Sequence, residues 1–571
     1  MKLKIERHLE KLSIILCVAS IAFLAFSMRY NVSAFSENDV LGLVQKLNIS
    51  YWFGLASILA SSLLLAFSNN VEGKRREILF LFEACFLALY LYAAAALVES
   101  NWYYPDTWGH SASVMSILVY GSFTNPGVTW YASRFPGAFI WQSAVSQITS
   151  INFFALIKYY PVLFSLLVVP IYYVFLRKFF SDARTVYLAT IFLVSGSVWV
   201  FPRWFSPNSV AFFFYLLILY FAFSPRSKKA IGLSFLFGVA AIFSNPTTIP
   251  FIILSIISLW IGWKLFKRLG VLDKQDILVS DTLFSFSFVL FISVSWLAWL
   301  KVNAPDILSS LISEIRNFTF SNPTERLSVV SPVLQSGVTM KIDYSLLFVL
   351  GGAVGVFYMF WKLRRKSKIE NGLPFLAIGW VVACFVLGLI SGFFQGGEFY
   401  ERSLLYAFVP LTALAFTIFK SKYGKVILLL IILVGTPLSL FAAYHNESFE
   451  YSPISDSYGG MFIANHNLLD FSSITASYPT AGVVQFYILQ WCYEHNVNPS
   501  LQHSDAKFFV WSQTSERFYV NYVEGRNYSL ISSYLFVSPN MTQGSDLLYD
   551  NGGFRLYSTP EGIPSIGGTR G

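Results

Sequence analysis

Asp106 and His110 stand four residues apart in the run Y-Y-P-D-T-W-G-H at 103–110. On a helix that spacing puts both side chains on one face. There they could act as an acid/base pair or offer two ligands to a divalent metal such as Mg or Mn. A lone D-x-x-x-H lacks a third ligand, and no other cofactor is indicated. A solvated loop carboxylate would also account for Asp106 by position alone. Basic residues make a second set. Arg134 precedes Phe135-Pro136-Gly137, Lys158 precedes Tyr159-Tyr160-Pro161, Arg203 sits in F-P-R-W-F-S-P-N-S, and Arg402 closes G-G-E-F-Y-E-R. Each alone could snorkel to a lipid headgroup. Together they suit a phosphate-bearing ligand, which Arg grips through its fork and Lys attracts as a point charge. Glu398 and Glu401 share the turn with Arg402 and could pair with it or orient an acceptor. Ser206 is placed to cap a helix opening at Pro207-Asn208, and a helix N-terminus favours anions. The polar break S-N-P-T-T at 244–248 could line a cavity or form a plain loop.

The elements that position these residues must be membrane helices. Of 571 residues, only 12% are charged and 55% are hydrophobic, and the mean hydropathy is +0.57. A soluble domain carries about 25% charged residues, so this chain cannot clothe itself in a solvated surface. A membrane-crossing helix needs roughly 20 apolar residues. Hydropathy predicts about thirteen such spans: 12–28, 51–69, 78–97, 159–176, 185–201, 208–224, 230–245, 248–263, 281–300, 344–361, 373–393, 403–419 and 426–444. The first lacks a small-residue cleavage site and reads as a retained helix. The four cysteines, Cys17, Cys85, Cys384 and Cys492, share no motif spacing, so no disulfide framework is expected.

Charge placement then sets the orientation. With a cytosolic N-terminus, the seven inner segments hold 25 of the 40 Lys and Arg, in runs such as Lys74-Arg75-Arg76. This is the positive-inside bias, and it puts the C-terminus outside the cell membrane. The formal charge of +9 is therefore a topology signal, and no nucleic-acid partner is expected. Six Asn-X-Ser/Thr sites, at Asn31, Asn48, Asn317, Asn446, Asn527 and Asn540, all fall on the outer side.

The expected fold is mainly α. A polytopic domain spans 1–444 and an extracytoplasmic tail spans 445–571. Two outer loops matter most. Loop 98–158 contains amphipathic stretches at about 111–120 and 136–149, and loop 301–343 could cover or gate a site. In the tail, 480–495 has helical period, Tyr534–Val537 and Phe554–Tyr557 read as strands, and Asn551-Gly552-Gly553 signals a turn. A small α/β or α+β domain is predicted there.

With these features the chain resembles GT-C fold membrane glycosyltransferases, particularly archaeal-type members. The resemblance rests on the architecture and on three local runs: Y-Y-P-D-T-W-G-H at 103–110, R-F-P-G-A-F at 134–139 and G-E-F-Y-E-R-S-L-L-Y at 397–406. It implies a first-loop carboxylate acting as general base or metal-associated group, here Asp106. It implies a sugar donor on a polyprenyl-phosphate carrier, with Arg203, Arg402, Lys158 and Arg134 as phosphate-binding candidates. His110 would orient Asp106, while Glu398, Glu401 and Asn208 would support an acceptor. The acceptor could be protein, glycan or lipid. The tail has no W-W-D-Y-G run and the first loop no Asp-X-Asp. That favours a monosaccharide transferase over an oligosaccharyltransferase-like enzyme of protein glycosylation. A transporter or lipid flippase would need ionisable groups within the spans. Glu83 and Asp281 lie near their cytosolic ends. A receptor or assembly scaffold led by the tail would need no cavity at 98–158.

Overall fold

The computed structural model describes residues 2–30, 32, 41–68, 73–102, 104, 106–124, 128–201, 203–272, 277–316, 332–365, 372–394, 398–445, 453–466, 474–476, 480–495, 506–513, 515, 546–551 and 554–563. Each of the thirteen apolar segments falls on a helix. Among the described residues, eight helices are long and apolar enough to cross a membrane by length and composition. Five predicted segments stand outside that set: the side chains of the 21-residue helix Pro374–Phe394 are described only to Leu389, and the other four have physical causes. Ala183–Gly196 has 14 residues, Pro207–Ala222 has 16 and Lys228–Ser244 has 17. At about 1.5 Å per residue these fall short of a hydrocarbon core roughly 30 Å thick. Lys74–Tyr92 opens on Lys-Arg-Arg-Glu, and Ala93 separates it from the short Ala94–Val98 helix.

Local chemistry sets the helix starts. The side chains of Asn48, Asp182 and Ser206 accept from the backbone N–H of Tyr51, Thr185 and Asn208. Each satisfies a donor that an uncapped helix would leave open. Asn48 is the one acceptor-site asparagine within the described residues. Asn31, Asn317, Asn446, Asn527 and Asn540 lie outside them. Between helices, small residues permit close approach. A side chain at Gly355 would come within 2.0 Å of the Leu414 carbonyl oxygen, so the Pro332–Arg364 and Glu398–Ala415 helices pack backbone to backbone there. Glu83 is buried and accepts from Ser13 at 2.6 Å and Ser61 at 2.8 Å. It thereby joins the first helix, the Ile49–Phe67 helix and its own.

Loop 98–158 is largely helical, with Asp106–Tyr120, Trp130–Arg134, Gly137–Thr149 and Phe153–Lys158. Loop 301–343 contributes Pro305–Arg316. The tail forms a mixed sheet of β1 (Ile474–Ala476), β2 (Ala506–Ser512), β3 (Asp546–Asp550) and β4 (Phe554–Ile563), in the order β1-β2-β4-β3. β1 and β2 are parallel, and the other two pairings are antiparallel. Helices Ile454–Asn465 and Thr480–His495 accompany the sheet. The second helix and β4 coincide with the predicted helix and last strand, while Tyr534–Val537 lies outside the described residues. All four cysteines are free thiols.

The Thr480–His495 helix packs on the Asp106–Tyr120 helix. Phe486 meets Trp102 at 4.7 Å and Trp108 at 5.6 Å between ring centroids. A side chain at Gly482 would come within 2.9 Å of the Gly109 backbone nitrogen. The tail therefore bears directly on the helix that begins at Asp106.

Candidate functional site

Asp106 opens its helix. Two residues earlier, Tyr104 has φ 70, a left-handed conformation that a bulky residue adopts only under constraint. The constraint is visible: the Tyr104 ring stacks on Trp204 at 4.0 Å with 18° between planes. That stack fastens the start of the Asp106 helix to the segment carrying Arg203. One turn on, His110 sits against the edges of Phe139 at 5.6 Å and Phe205 at 6.2 Å. Burial pulls its pKa below the ordinary imidazole value, and the nearby Asp106 carboxylate acts in the opposite sense. A neutral imidazole beside a carboxylate can orient it through its N–H or, once the carboxyl is protonated, take that proton.

Lys158 and Arg203, 45 positions apart in sequence, line one small cleft. Its other walls include Trp102, Thr107, Pro161 and Trp204. Thr107 is the residue after Asp106, so the cleft adjoins the start of that helix. Lys158 ends the short Phe153–Lys158 helix. It donates to the Ser100 carbonyl at 3.5 Å, and its ammonium lies 5.7 Å from the Tyr159 ring centroid. Burial lowers its pKa, and Glu99 partly offsets this. Arg203 is only 4% exposed. Its Nη1 donates to the Ala443 carbonyl, and its guanidinium stands 4.4 Å from the centroid of the Tyr444 ring.

A second polar cluster forms among helix starts. Arg402 donates to Thr247 Oγ1 at 2.5 Å. Thr247 in turn donates to Asn245 through its backbone N–H at 2.9 Å and its hydroxyl at 2.6 Å. Thr248 and Tyr406 share a hydrogen bond of 2.7 Å, and the Tyr406 hydroxyl donates to Asn208 at 3.3 Å. The S-N-P-T-T break is thus part of this cluster. The side chains of Glu398 and Glu401 lie outside the described residues. Arg134 makes a third arrangement. It forms an ion pair with Asp306 and lies 4.0 Å from the Trp130 ring centroid, while its carbonyl accepts from Trp299 at 3.0 Å. It bridges loops 98–158 and 301–343 and is not among the cleft-lining residues.

Lys158, Arg203 and the start of the Asp106 helix therefore come together. Arg402 and Asn208 are linked through Thr247, Thr248 and Tyr406, and Arg134 joins Asp306. Sequence reasoning missed the Tyr104–Trp204 stack, Tyr406, Lys341 and His445. Lys341 and Arg203 both act on His445, and nothing in the local sequence of Lys341 or His445 marks them. A metal finds two candidate ligands in Asp106 and His110. Among the described residues no group of three His, Cys, Asp or Glu could hold one. Among the described residues, two ligands alone do not make up a metal site.

No family model matches the chain, and no curated protein matches it. Solved structures do. The oligosaccharyltransferase of Archaeoglobus fulgidus, in complex with Zn and sulfate, is 13% identical. The match covers 84% of this chain and 73% of that one, with a TM-score of 0.47. ArnT from Cupriavidus metallidurans, bound to undecaprenyl phosphate, is 12% identical over 85% of this chain and 98% of that one, with a TM-score of 0.48. The chain is similar to both in overall path. Likeness at this level leaves the chemistry of the site to be read from its own residues.

Proposed function

We propose that the chain is a membrane glycosyltransferase that moves a sugar from a polyprenyl-phosphate carrier to an acceptor hydroxyl on the extracytoplasmic face. One observation carries this reading: two cations, Lys158 and Arg203, line a cleft whose wall runs into the helix begun by Asp106. A phosphate in the cleft would lie between a buried guanidinium and an ammonium, beside a carboxylate able to act as base. The isoprenoid tail would lie along the apolar helices. Asp106 takes the proton of the attacking hydroxyl as its oxygen bonds to the anomeric carbon. The bond from that carbon to the carrier's phosphate oxygen breaks, and its electron pair leaves with the lipid phosphate. Arg203 and Lys158 stabilise the charge that develops there. Attack opposite the leaving phosphate inverts the anomeric centre.

His110 holds Asp106 in position in this reading. The Arg402, Thr247, Tyr406 and Asn208 cluster supplies polar support on the sugar or acceptor side, with Glu398 and Glu401 in the same turn. Arg134, matched by Asp306, braces the two loops. The test is Asp106→Asn in purified protein supplied with a radiolabelled polyprenyl-phosphate sugar. Removing a general base costs about 10²–10⁴-fold, and a loss of that size is expected. Turnover equal to the unsubstituted protein would remove Asp106 as the base.

A further inference from the structure

His445 follows the Lys422–Tyr444 helix and is only 4% exposed. Its Nδ1 lies 3.1 Å from the Phe441 carbonyl oxygen. A carbonyl only accepts, so Nδ1 carries the proton and Nε2 of the neutral ring is a bare lone pair. Among the described residues that Nε2 is buried without a hydrogen-bond partner. Burial, then Lys341, and to a smaller degree Arg203, push its pKa down to about 4, against the Phe441 carbonyl. Among the described residues, both charged groups acting on the ring are positive. Tyr444 precedes it in the chain, and Glu447 and Glu450 follow it outside the described residues. Lys341 itself lies 5.7 Å from the Trp199 ring centroid.

A buried ring nitrogen with no hydrogen-bond partner among the described residues, under the influence of two cations, is completed by an anion that arrives with a proton. We propose that Arg203, Lys341 and His445 form a proton-coupled subsite for the phosphomonoester of the released carrier lipid. This rests on the phosphate reading of the cleft, since Arg203 belongs to both. A sugar-bearing carrier is a phosphodiester with one negative charge. Release of the sugar leaves a monoester, which loses its second proton near pH ~6. The second charge meets a third cation in this subsite only if His445 takes up a proton on Nε2. The protonated ring then donates from both nitrogens, to Phe441 and to a phosphate oxygen. The subsite so distinguishes spent carrier from loaded carrier.

The experiment is calorimetry on the full chain in nanodiscs at pH 8, in two buffers of different ionisation heat. The probes are farnesyl phosphate, methyl farnesyl phosphate and farnesol. The unsubstituted protein is expected to prefer the monoester and to take up about one proton with it. In His445→Gln the uptake should vanish, and monoester affinity should fall at least tenfold, as for a lost hydrogen bond to a charged group. Diester affinity should barely move. Monoester binding without proton uptake, or uptake that persists in His445→Gln, overturns the subsite and leaves the Arg203 and Lys158 cleft standing. Farnesyl phosphate bound no better than farnesol overturns the cleft reading itself. Should His445→Gln not fold, Lys341→Gln decides: a several-fold loss confined to the monoester supports the subsite, and an unchanged monoester-to-diester ratio contradicts it.

Discussion

Arg203 and Arg134 both precede an aromatic residue in a connecting segment, and they are held in opposite ways. Arg134 is partly exposed and has its charge met by Asp306, itself 48% exposed at the side chain. Arg203 is buried, donates to a backbone carbonyl and lies over an aromatic face. Burying a guanidinium is costly unless its surroundings repay the lost hydration. A carbonyl and a π-face supply part of that, and in the proposed reading the carrier's phosphate supplies more. An exposed ion pair contributes little and needs no ligand to explain it. In the proposed reading the same residue type thus serves as a binding group in one place and a loop brace in the other.

The contrast can be broken by substitution. Arg203→Gln should lower kcat/KM by about 10²–10³-fold, the scale of losing one charge-stabilising donor at a developing anion. Arg203→Lys should recover only part of it, because an ammonium cannot reproduce the bidentate fork. Lys158 should show itself in the pH profile. Its pKa is lowered, so its charge disappears as pH rises, at a lower pH than for an ordinary lysine. The alkaline limb of activity should therefore fall below the usual lysine range and move upward in Lys158→Arg, which stays charged. A limb that does not respond to this substitution would detach Lys158 from the phosphate. Arg134→Gln should be the mildest, changing kcat/KM by less than about threefold, as for a screened surface pair. A loss as large as that of Arg203→Gln would erase the distinction between the two arginines.

Much of the fold was legible because hydrocarbon thickness imposes a length on apolar segments, and each predicted segment proved helical. The break at Ala93, inside the predicted 78–97 span, was not. It falls in a run of alanines with no Pro or Gly to announce it. In the tail, the Asn551 turn gave away β4, and Asn551 indeed accepts from the Phe554 N–H at 2.9 Å. β1 and β2 pair across a long stretch of chain, so local pattern could not join them. Asp106, Lys158 and Arg203 stood out singly by residue type and position. Their grouping depends on helix packing and on the Tyr104–Trp204 stack, which no spacing encodes. His445 was invisible for a related reason. A histidine after an apolar run gains its character only once Lys341 and Arg203 are near enough to act on its charge.

The most direct measurement is a structure of the chain with polyprenyl phosphate bound. The phosphate is expected within about 3 Å of both Arg203 and Lys158 side-chain nitrogens, adjoining the start of the Asp106 helix. A phosphate seated instead at Arg402 or at the Arg134–Asp306 pair, with the Lys158 and Arg203 cleft empty, would contradict the account.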